Sequence, residues 1–440
     1  MSGHVLDLND CELRVASGAK VAARSPGFAV ILEDATYLGA EAVKRAHLYP
    51  RQCYSRFWTD LNQDALVVAA PRHRHHADIA FEHLKSVHEQ AGRPAEMLLA
   101  VPGNWPNEQL SLLLGIVQAL PFKATGLVDA AVAAAAGAAG AGRWQHVELY
   151  LHETVLTRLS GDGEMAREAV ETLDNGGLTV VHEALAGLVA DIFIRQCRFD
   201  PLHNAETEQA LYDQIPGCLQ HLSGRPEVVL EIKYRGARNQ VKLDRRSVLA
   251  KLGDFYEGIL AKLEPGRTPL LGERIASLPG LTAAVPGAAV LPADAVFRGC
   301  TEHRAAILSS GPHLNFVTRL PLPRAPQLRP AGDTPATAPT GTSGPAATHV
   351  LVGFRAMRLH AKPLFLSARG AVSAERHDGA ACSIGLNSRQ AVVTPLSDIT
   401  MYVNGERITG PRALSAGDKI GFAGSDTVCT LISVDDGDAP

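Results

Sequence analysis

The sequence predicts an α/β unit at residues 1–315, a proline-rich linker at 316–348 and a small all-β sandwich at 349–436. Three observations predict this organisation. Strand-like apolar runs alternate with helical apolar spacing in the first part of the chain, which is typical of sheets covered by helices. The composition then shifts sharply to proline, threonine and glycine. Beyond this shift, short strand-like runs are separated by turn residues, which favours a sandwich.

The length and charge of the chain exclude several classes of protein. At 440 residues, the chain is long enough for two or three domains with a sizeable core. It carries 42 Lys and Arg against 46 Asp and Glu, so its formal net charge is −4. Because no global positive field exists, we expect no nucleic-acid partner.

The sequence also predicts a cytoplasmic protein with reduced thiols. The start has no basic region followed by an apolar run, so we expect no secretory signal. The longest apolar tract, Leu127 to Gly142, contains Asp129 and is shorter than the ~20 apolar residues of a membrane helix. Seven scattered cysteines without a C-x-x-C pair indicate free thiols, and we expect no metal site.

The clearest elements of the first unit are two strands and two helices. Apolar runs at Met97–Val101 and Val228–Ile232 predict buried strands. Apolar residues at helical spacing predict one helix around 185–193 and another over 248–263. A proline-glycine pair follows each of two apolar segments, at Pro102-Gly103 and at Pro279-Gly280, and marks a turn.

The linker and the last unit differ in composition from this first part. Residues 320–349 include seven prolines and three glycines, which predict an extended, partly flexible tether. The best strand candidates beyond it are five short runs, at Val350–Phe354, Leu364–Leu366, Gln390–Val393, Thr400–Val403 and Cys429–Val434.

The first unit resembles the nucleotide-binding domain of the seventy-kilodalton heat-shock (DnaK-type) chaperones, within the actin-like ATPase superfamily. The segments that carry the resemblance, in chain order, are VLDLND, SPGFAVILEDATYLGAEAVKRAHLYP, AVPGNWPNEQLSLLLGIVQAL, GLVDAAVAAAAG, VVLEIKYRGARNQVKLDRRSVLAKLGDFYEGILAKL, LLGERIASLPGL and VFRGCTEHRAAIL. They cover roughly Met1 to Pro312. The resemblance implies a two-lobed, ribonuclease H-like fold with a nucleotide cleft between the lobes.

The residues that would hold phosphate depart from the family pattern. Asp7 stands at the family's magnesium-side aspartate, but Asn9 replaces the glycine that follows it. The second phosphate hairpin reads HVELYLHETVLTRLSGDG and lacks the glycines of the family. Trp58 stands where the family has its phosphate-contacting lysine, with Arg56 as a candidate substitute. Asp129 lies beside the position of the family's catalytic glutamate.

The adenosine side of the site keeps more of the pattern. Gly272, Pro279 and Gly280 match the family's adenosine loop, while the second glycine of its pair is Leu271 or Glu273, depending on register. The resemblance therefore implies nucleotide contacts at Asp7, Asn9, Arg56, Gly272, Glu273, Pro279 and Gly280, and catalytic roles for Asp7 and Asp129 only if ATP is hydrolysed. With four of five phosphate-handling elements altered, we expect a pseudo-ATPase that needs no cofactor. ATP and Mg²⁺ would be bound if the site functions.

A polar segment in the first unit is a candidate partner surface. RFDPLHNAETEQALYDQ presents Arg198, Asp200, His203, Glu206 and Gln209, which we expect either to form a partner surface or to line the cleft. The alternative interpretation is a turn at Pro201 followed by a solvated helix start that Asn204 caps.

The last unit resembles a forkhead-associated domain. Asn404-Gly405 predicts a tight hairpin, and the following L-x-x-G-D pattern fits that family. Ser388 and Arg389 match the Ser-Arg pair with which the family binds phosphothreonine, although the histidine expected after them is Gln390-Ala391. The resemblance implies docking of a protein partner, with a phosphopeptide as one form of it.

Three functions follow from these resemblances. The favoured hypothesis is a chaperone-like regulatory scaffold with a degenerate nucleotide domain and a protein-docking sandwich. The second is a working ATPase with rearranged ligands, in which Asp7 holds hydrated Mg²⁺ and Arg56 neutralises phosphate. The third is an actin-like filament-forming scaffold.

Overall fold

A computed structural model of the chain describes residues 3–18, 20–70, 73–309, 314–322, 347–352, 355–360, 362–367, 372–373, 380–387, 390–396, 399–404, 406–408, 410–423 and 428–433. The chain divides into two compact units, Met1–Leu328 and Arg329–Pro440. The first unit combines helices with several sheets, and the described part of the second is β-rich. The α/β class predicted for the first unit is therefore confirmed at this level.

The strands of the first unit are short to medium in length. They are β1 (His4–Asp7), β2 (Leu13–Ser17), β3 (Lys20–Ser25), β4 (Ala29–Ile31), β5 (Thr36–Leu38), β6 (Cys53–Tyr54), β7 (Ala65–Ala70), β8 (His73–His75), β9 (Glu96–Val101), β10 (Lys123–Asp129), β11 (Gly142–Leu149), β12 (Glu153–Gly161), β13 (Glu164–Asp174), β14 (Glu227–Tyr234), β15 (Ala237–Asp244), β16 (Thr268–Leu271), β17 (Ala289–Val290), β18 (Phe316–Val317) and β19 (Arg319–Pro321).

The helices of the first unit lie between these strands. They are α1 (Ala40–Val43), α2 (His76–Gln90), α3 (Asn107–Gln118), α4 (Ala130–Ala136), α5 (Leu178–Cys197), α6 (Ala205–Tyr212), α7 (Ile215–Gly224), α8 (Arg245–Lys251), α9 (Gly253–Ala261), α10 (Glu273–Ala276), α11 (Leu281–Ala284), α12 (Ala295–Glu302) and α13 (Arg304–Ile307). A 3₁₀ turn spans Pro201–His203. None of the described helices is long and apolar enough to cross a membrane.

Two six-stranded sheets of the first unit share one topology. Their strand orders are β18-β10-β9-β1-β2-β3 and β17-β16-β11-β12-β13-β19. In the first sheet, β1 pairs antiparallel with β2, and β2 pairs antiparallel with β3. In the second sheet, β11, β12 and β13 pair in the same way. On the other side of β1, β9 and then β10 are added in parallel, and on the other side of β11, β16 and then β17 are added in parallel. The first unit is therefore built on the same five-stranded arrangement twice, with one extra strand on each sheet.

The core between these sheets is formed by small residues. Helix α4 is alanine-rich, and all seven of its residues are buried. It packs with α12 in a hydrophobic cluster that also contains Val5 and Leu98 of the first sheet and Leu159 of the second. The approach of the two helices is close, because a Cβ on Gly299 would lie 1.8 Å from the carbonyl oxygen of Ala133. The alanine-rich tract is thus an internal packing element.

Substituting Gly299 by alanine is expected to destabilise the first unit by about 1–3 kcal/mol or more, because the added methyl group overlaps backbone atoms of α4. Urea unfolding followed by tryptophan fluorescence measures this, since Trp58, Trp105 and Trp144 all lie in the first unit. Gly115→Ala in α3 is the matched control, since its Cβ meets no atom within 4 Å, and it is expected to be neutral or stabilising. Equal effects of the two substitutions would contradict the close-packing account.

Two predicted boundaries in the first unit are wrong. The apolar spacing over 248–263 predicts one helix, but the chain forms α8 and α9 with a break at Leu252. Gly253, the first residue of α9, follows this break. Residues 316–321, assigned to the linker because they adjoin the proline-rich stretch, form β18 and β19 in the two large sheets. Leu320 is fully buried there, which explains why this stretch is structural.

The second unit consists, in its described part, of strands and their connections. They are β20 (His349–Val352), β21 (Arg355–Arg358), β22 (Leu364–Ser367), β23 (Val372–Ser373), β24 (Ala380–Asn387), β25 (Gln390–Pro395), β26 (Met401–Val403), β27 (Glu406–Ile408), β28 (Arg412–Leu414), β29 (Lys419–Phe422) and β30 (Val428–Ile432). A six-stranded sheet has the order β21-β20-β30-β29-β26-β27, and a five-stranded sheet has the order β23-β22-β24-β25-β28. Buried residues of both sheets form one core.

Candidate functional site

Two hairpin turns meet between the large sheets of the first unit. One turn follows β1 and contains Asn9, Asp10 and Cys11; the other lies between β11 and β12. The amide nitrogen of Asn9 donates to the carbonyl oxygen of Leu149 at 3.0 Å. The backbone N–H of Leu151 donates to a carboxylate oxygen of Asp10 at 2.8 Å. The equivalent turns of the two sheets are therefore hydrogen-bonded directly to each other.

The polar residues of the first turn are used within the protein. The side-chain oxygen of Asn9 accepts from the backbone N–H of Cys11 at 3.0 Å, which closes the turn without a glycine. The Thr59 hydroxyl donates to the second carboxylate oxygen of Asp10 at 3.0 Å. Burial raises the pKa of Asp10 to about 6. Asn9 and Asp10 are buried, and their side chains hold the turns together.

An arginine lies at the end of β1, beside the predicted magnesium ligand. The guanidinium of Arg274 donates to a carboxylate oxygen of Asp7 at 3.0 Å and to the carbonyl oxygen of Glu12 at 3.1 Å. Its other terminal nitrogen lies 3.8 Å from a carboxylate oxygen of Glu148, near the end of β11. Carboxylates from the first strands of both sheets therefore converge on one internal cation.

Gly272 makes this arrangement sterically possible. It immediately precedes α10, which carries Arg274. A Cβ at position 272 would lie 2.3 Å from a carboxylate oxygen of Glu148. The glycine predicted to contact a nucleotide thus leaves room for the Glu148 carboxylate.

The charges of this cluster do not balance at high pH. The carboxylates of Asp7 and Glu148 raise the pKa of Arg274, so the guanidinium stays charged although its burial opposes this. Burial raises the pKa of Glu148 to about 7, and the charge of Asp7 contributes in the same direction. One cation thus neutralises Asp7, while Glu148 titrates near neutral pH.

Glu148→Gln is expected to flatten the pH dependence of stability between pH 6 and 8. Because the pKa of Glu148 is raised on folding, its contribution is fully present below about pH 4.5 and is lost as the pH rises through about 7. The substitution should stabilise the protein at pH 8 relative to pH 6 by roughly 1 kcal/mol compared with the wild type. Urea unfolding at the two pH values measures this. Glu164→Gln, at an exposed ion pair, is the control, and an unchanged wild-type slope in Glu148→Gln would contradict the assignment.

Asp129, the predicted catalytic acid, is a buried helix cap. One carboxylate oxygen accepts from the backbone N–H groups of Ala131 and Val132 at the start of α4. The other accepts from the guanidinium of Arg167 at 2.9 Å. Burial raises the pKa of Asp129, and Arg167 opposes this shift. Both oxygens are therefore occupied by protein donors.

The remaining phosphate-side candidates do not converge with Asp7. Arg56 is exposed and pairs with Asp60 at 2.7 Å, in an i,i+4 ion pair. Trp58 is buried, and its indole N–H donates to the Nδ1 atom of His83 at 3.0 Å. The chain thus uses Trp58 as a core residue, and Arg56 is already ion-paired.

The adenosine-side candidates have internal contacts as well. Glu273 is ion-paired with Arg14 at 2.9 Å. The carbonyl oxygen of Pro279 accepts from the Tyr256 hydroxyl at 2.7 Å. Gly280 has a φ of 81°, and a Cβ there would lie 2.5 Å from the side chain of Leu249. Pro279 and Gly280 thus fix the turn between α10 and α11 against α8 and α9, and Glu273 ties the start of α10 to β2.

The segment predicted as a partner surface is only partly exposed. Arg198, Asp200, His203 and Glu206 are exposed. Gln209 is buried, so its assignment to this surface is wrong. Its amide nitrogen donates to the carbonyl oxygen of Val43 at 3.0 Å, and its amide oxygen accepts from the backbone N–H of His47 at 2.9 Å. It joins α6 to the last residue of α1 and to the segment that follows it.

The local structure around these exposed residues matches the alternative interpretation. Asp200 caps the 3₁₀ turn by accepting from the backbone N–H of Leu202 at 2.9 Å. The side chain of Asn204 caps α6 by accepting from the backbone N–H of Glu206 at 2.9 Å. The prediction that this exposed face binds a partner stays a prediction.

One of the four candidates in the second unit lies within the described residues. Asn404 has a φ of 53° in the turn after β26. Its amide nitrogen donates to Asp418 at 2.7 Å, and its amide oxygen accepts from the backbone N–H of Lys419 at 2.8 Å. It therefore ties this turn to the start of β29. Ser388, Arg389 and Gly405 lie outside the described residues.

Sequence reasoning did not find Arg274 or Arg167. Arg274 stands within LLGERIASLPGL, in which the glycines and the proline carry the resemblance to the family. Arg167 stands in an ordinary strand pattern. The signal that indicates such arginines is an aspartate at the end of an apolar strand, as at Asp7 and Asp129, because a buried carboxylate needs a cationic partner.

Comparison with known proteins adds no family assignment. Neither a protein-family model nor a curated protein sequence matches this chain. Within the described residues, no group of three or more His, Cys, Asp or Glu side chains is arranged to hold a metal ion.

Proposed function

We propose that the first unit is a degenerate two-lobed domain of the actin-like, ribonuclease H-like type. Two sheets of the same topology support this, because they make one lobe each. The position of the candidate site supports it further, since both hairpin turns that meet between the sheets follow the first strand of their own sheet.

We propose that this domain is a pseudo-ATPase. The observation that carries the proposal is the ion pair between Arg274 and Asp7, at the position where a working site would hold hydrated Mg²⁺. An internal guanidinium beside Asp7 opposes the binding of a second cation there by charge repulsion. The direct hydrogen bonds between the hairpin turns use backbone and side-chain groups that would otherwise face a phosphate.

The whole chain then acts as a cytoplasmic, chaperone-like regulatory scaffold that binds partner proteins. The second unit is the proposed forkhead-associated-like docking domain. Two antiparallel sheets enclosing one core and the Asn404 turn support this assignment. A phosphothreonine peptide is the proposed form of its partner.

Isothermal titration calorimetry of the intact chain with Mg-ATP and Mg-ADP tests the nucleotide part of the proposal. We expect no saturable heat at millimolar nucleotide in wild type, with the fold intact by circular dichroism. Micromolar binding that Asp7→Ala abolishes would support a working ATPase with rearranged ligands and overturn the pseudo-ATPase proposal. Nucleotide-dependent light scattering would favour a filament former instead.

Binding of phosphothreonine peptides to the intact chain tests the docking part. A peptide library is compared with its dephosphorylated twin by fluorescence anisotropy. Selective binding of the phosphorylated set supports recognition of phosphothreonine, and equal or absent binding of both sets contradicts it.

A further inference from the structure

Strand β19, at one edge of the second large sheet, is hydrogen-bonded to only part of the neighbouring strand β13. Strand β19 pairs antiparallel with the first three residues of β13, Glu164 to Ala166. One more backbone hydrogen bond joins the N–H of Arg167 to the carbonyl oxygen of Thr318 at 3.0 Å. Strand β13 continues to Asp174. Among the described residues, no strand pairs with this outer edge of β13 beyond Arg167.

A groove runs along this unpaired length of β13. Its volume is about 590 Å³. One wall is formed by Gly103 and Asn104, in the loop that follows β9 of the first sheet. The other side is the strand itself, and its lining residues are Arg167, Glu168, Ala169, Val170 and Thr172, together with Glu153 of β12. An unpaired strand edge thus borders an open groove with the Gly103–Asn104 loop on one side, and such an accessible edge is what strand addition requires.

The charges in this groove favour a cationic side chain. Arg167 is ion-paired with Asp129 at 2.9 Å, and Glu168 is ion-paired with Arg267. Glu153 accepts from the amide nitrogen of Asn104 at 2.7 Å. Burial raises the pKa of Glu153 and the charge of Arg56 opposes this shift, but no salt bridge joins Glu153 to Arg56 or to another described cation. The amide oxygen of Asn104 is buried and has no hydrogen-bond partner among the described residues. The Glu153 carboxylate therefore lies beside an acceptor that lacks a donor, a pair of groups that one ammonium or guanidinium side chain can satisfy once it reaches Asn104.

The chain's own linker is a poor occupant of this edge. Strand β19 runs antiparallel to β13, so the chain leaves it at Leu322, beside Gly163 and away from the groove. The linker beyond it is rich in proline, which lacks the N–H group that a strand ladder needs. A segment of another protein can approach the groove from either direction, and it can supply the backbone N–H groups that the ladder needs.

We propose that the unpaired edge of β13 from Glu168 to Asp174 docks an extended segment of a partner protein by strand addition, with a lysine or arginine of that segment bound to Glu153 and Asn104. This names a surface and a partner chemistry for the scaffold role and rests on that proposed function. Its test uses no nucleotide and no phosphopeptide, so its failure is distinguishable from a failure of the proposed pseudo-ATPase or of the docking sandwich.

A pair of synthetic peptides tests the proposal on the intact chain. The probe is fluorescein-labelled Thr-Val-Lys-Val-Lys-Val-Thr, and its twin has glutamate in place of each lysine. Fluorescence anisotropy is expected to show at least tenfold tighter binding of the lysine peptide. Glu153→Gln should weaken that binding severalfold. Glu171→Gln is the matched control on β13, since Glu171 is ion-paired with Arg158 at 2.8 Å and does not line the groove, and it should leave binding unchanged.

Hydrogen exchange locates the binding. In the free protein, the amides of residues 168–173 that point away from β12 are expected to exchange faster than the amides of 165–167 that face β19, and the lysine peptide should slow them. Amides of the β14–β15 hairpin should not change. Slow exchange of these outward-pointing amides without peptide, equal binding of the two peptides, absence of binding, or full binding by Glu153→Gln would overturn the proposal.

Discussion

Arg274→Ala is expected to destabilise the first unit by about 3–5 kcal/mol near pH 7.5, because it leaves the buried Asp7 carboxylate without its cation. Glu148, which lies 3.8 Å from the same guanidinium, loses part of its neutralisation as well. Removing one partner of a buried ion pair costs far more than removing a surface charge. Urea unfolding monitored by the three tryptophans of the first unit measures the loss.

The pH dependence of this loss is part of the prediction. Without the guanidinium, which lowers the pKa of Glu148, this pKa rises further, so Glu148 takes up a proton as the pH falls and its charge repulsion with Asp7 disappears. The destabilisation should therefore be smaller at pH 5 than at pH 7.5. Arg24→Ala is the control, because Arg24 pairs with Glu12 at 2.7 Å but is half exposed, and its expected cost is about 0–1 kcal/mol. Equal costs for the two arginines would contradict a buried internal cation.

Arg167→Ala is the second substitution with a large expected effect, again about 3–5 kcal/mol. Asp129 has no exposed surface, and Arg167 is its ion-pair partner at 2.9 Å. The guanidinium also donates to the carbonyl oxygen of Gly103 at 2.8 Å and lies over the ring of Phe316 at 5.2 Å. Its removal therefore loosens contacts between β13, the loop after β9 and β18. The same urea experiment measures this loss.

Two comparisons separate this structural role from a catalytic one. Asp129→Asn retains the oxygen that caps α4 but turns an amide N–H toward the guanidinium of Arg167. We expect it to cost about 1–3 kcal/mol, less than Arg167→Ala, because the arginine left without its counter-ion is partly exposed whereas Asp129 is fully buried. Arg319→Ala removes an exposed ion pair with Glu164 and is expected to cost about 0–1 kcal/mol. If Arg167→Ala unfolds at the wild-type urea concentration, Asp129 is not held by this ion pair.

Local sequence patterns predict much of the first unit. The apolar spacing around residues 185–193 predicts α5, and the apolar run at Met97–Val101 predicts β9. These elements are predicted correctly because the apolar residues that each of them buries follow a local pattern, a helical spacing in α5 and a continuous run in β9. The break between α8 and α9 is missed because the apolar stripe continues through Leu252. Strand β19 is missed because its proline content resembles that of the linker that follows.

The candidate site is harder to predict, because its contacts are distant in sequence. Asp7 is recognised at the end of β1, but its partner Arg274 is 267 residues away. Asn9 is recognised as a replaced glycine, yet its bond to Leu149 spans 140 residues. No periodicity encodes such pairs. The sequence thus singles out Asp7 and Asn9 as candidate site residues, and the structure identifies Arg274 as the arginine that pairs with Asp7.

Hydrogen exchange of the intact wild-type chain with and without 5 mM Mg-ATP tests the central claim most directly. The turns at residues 8–12 and 149–153 are bonded to each other, and Arg274 is bonded to Asp7, without any ligand. We therefore predict that amides in both turns and in residues 272–280 exchange at the same rates in the two conditions. Exchange that Mg-ATP slows tenfold or more in both turns, and that Asp7→Ala restores, would contradict the account.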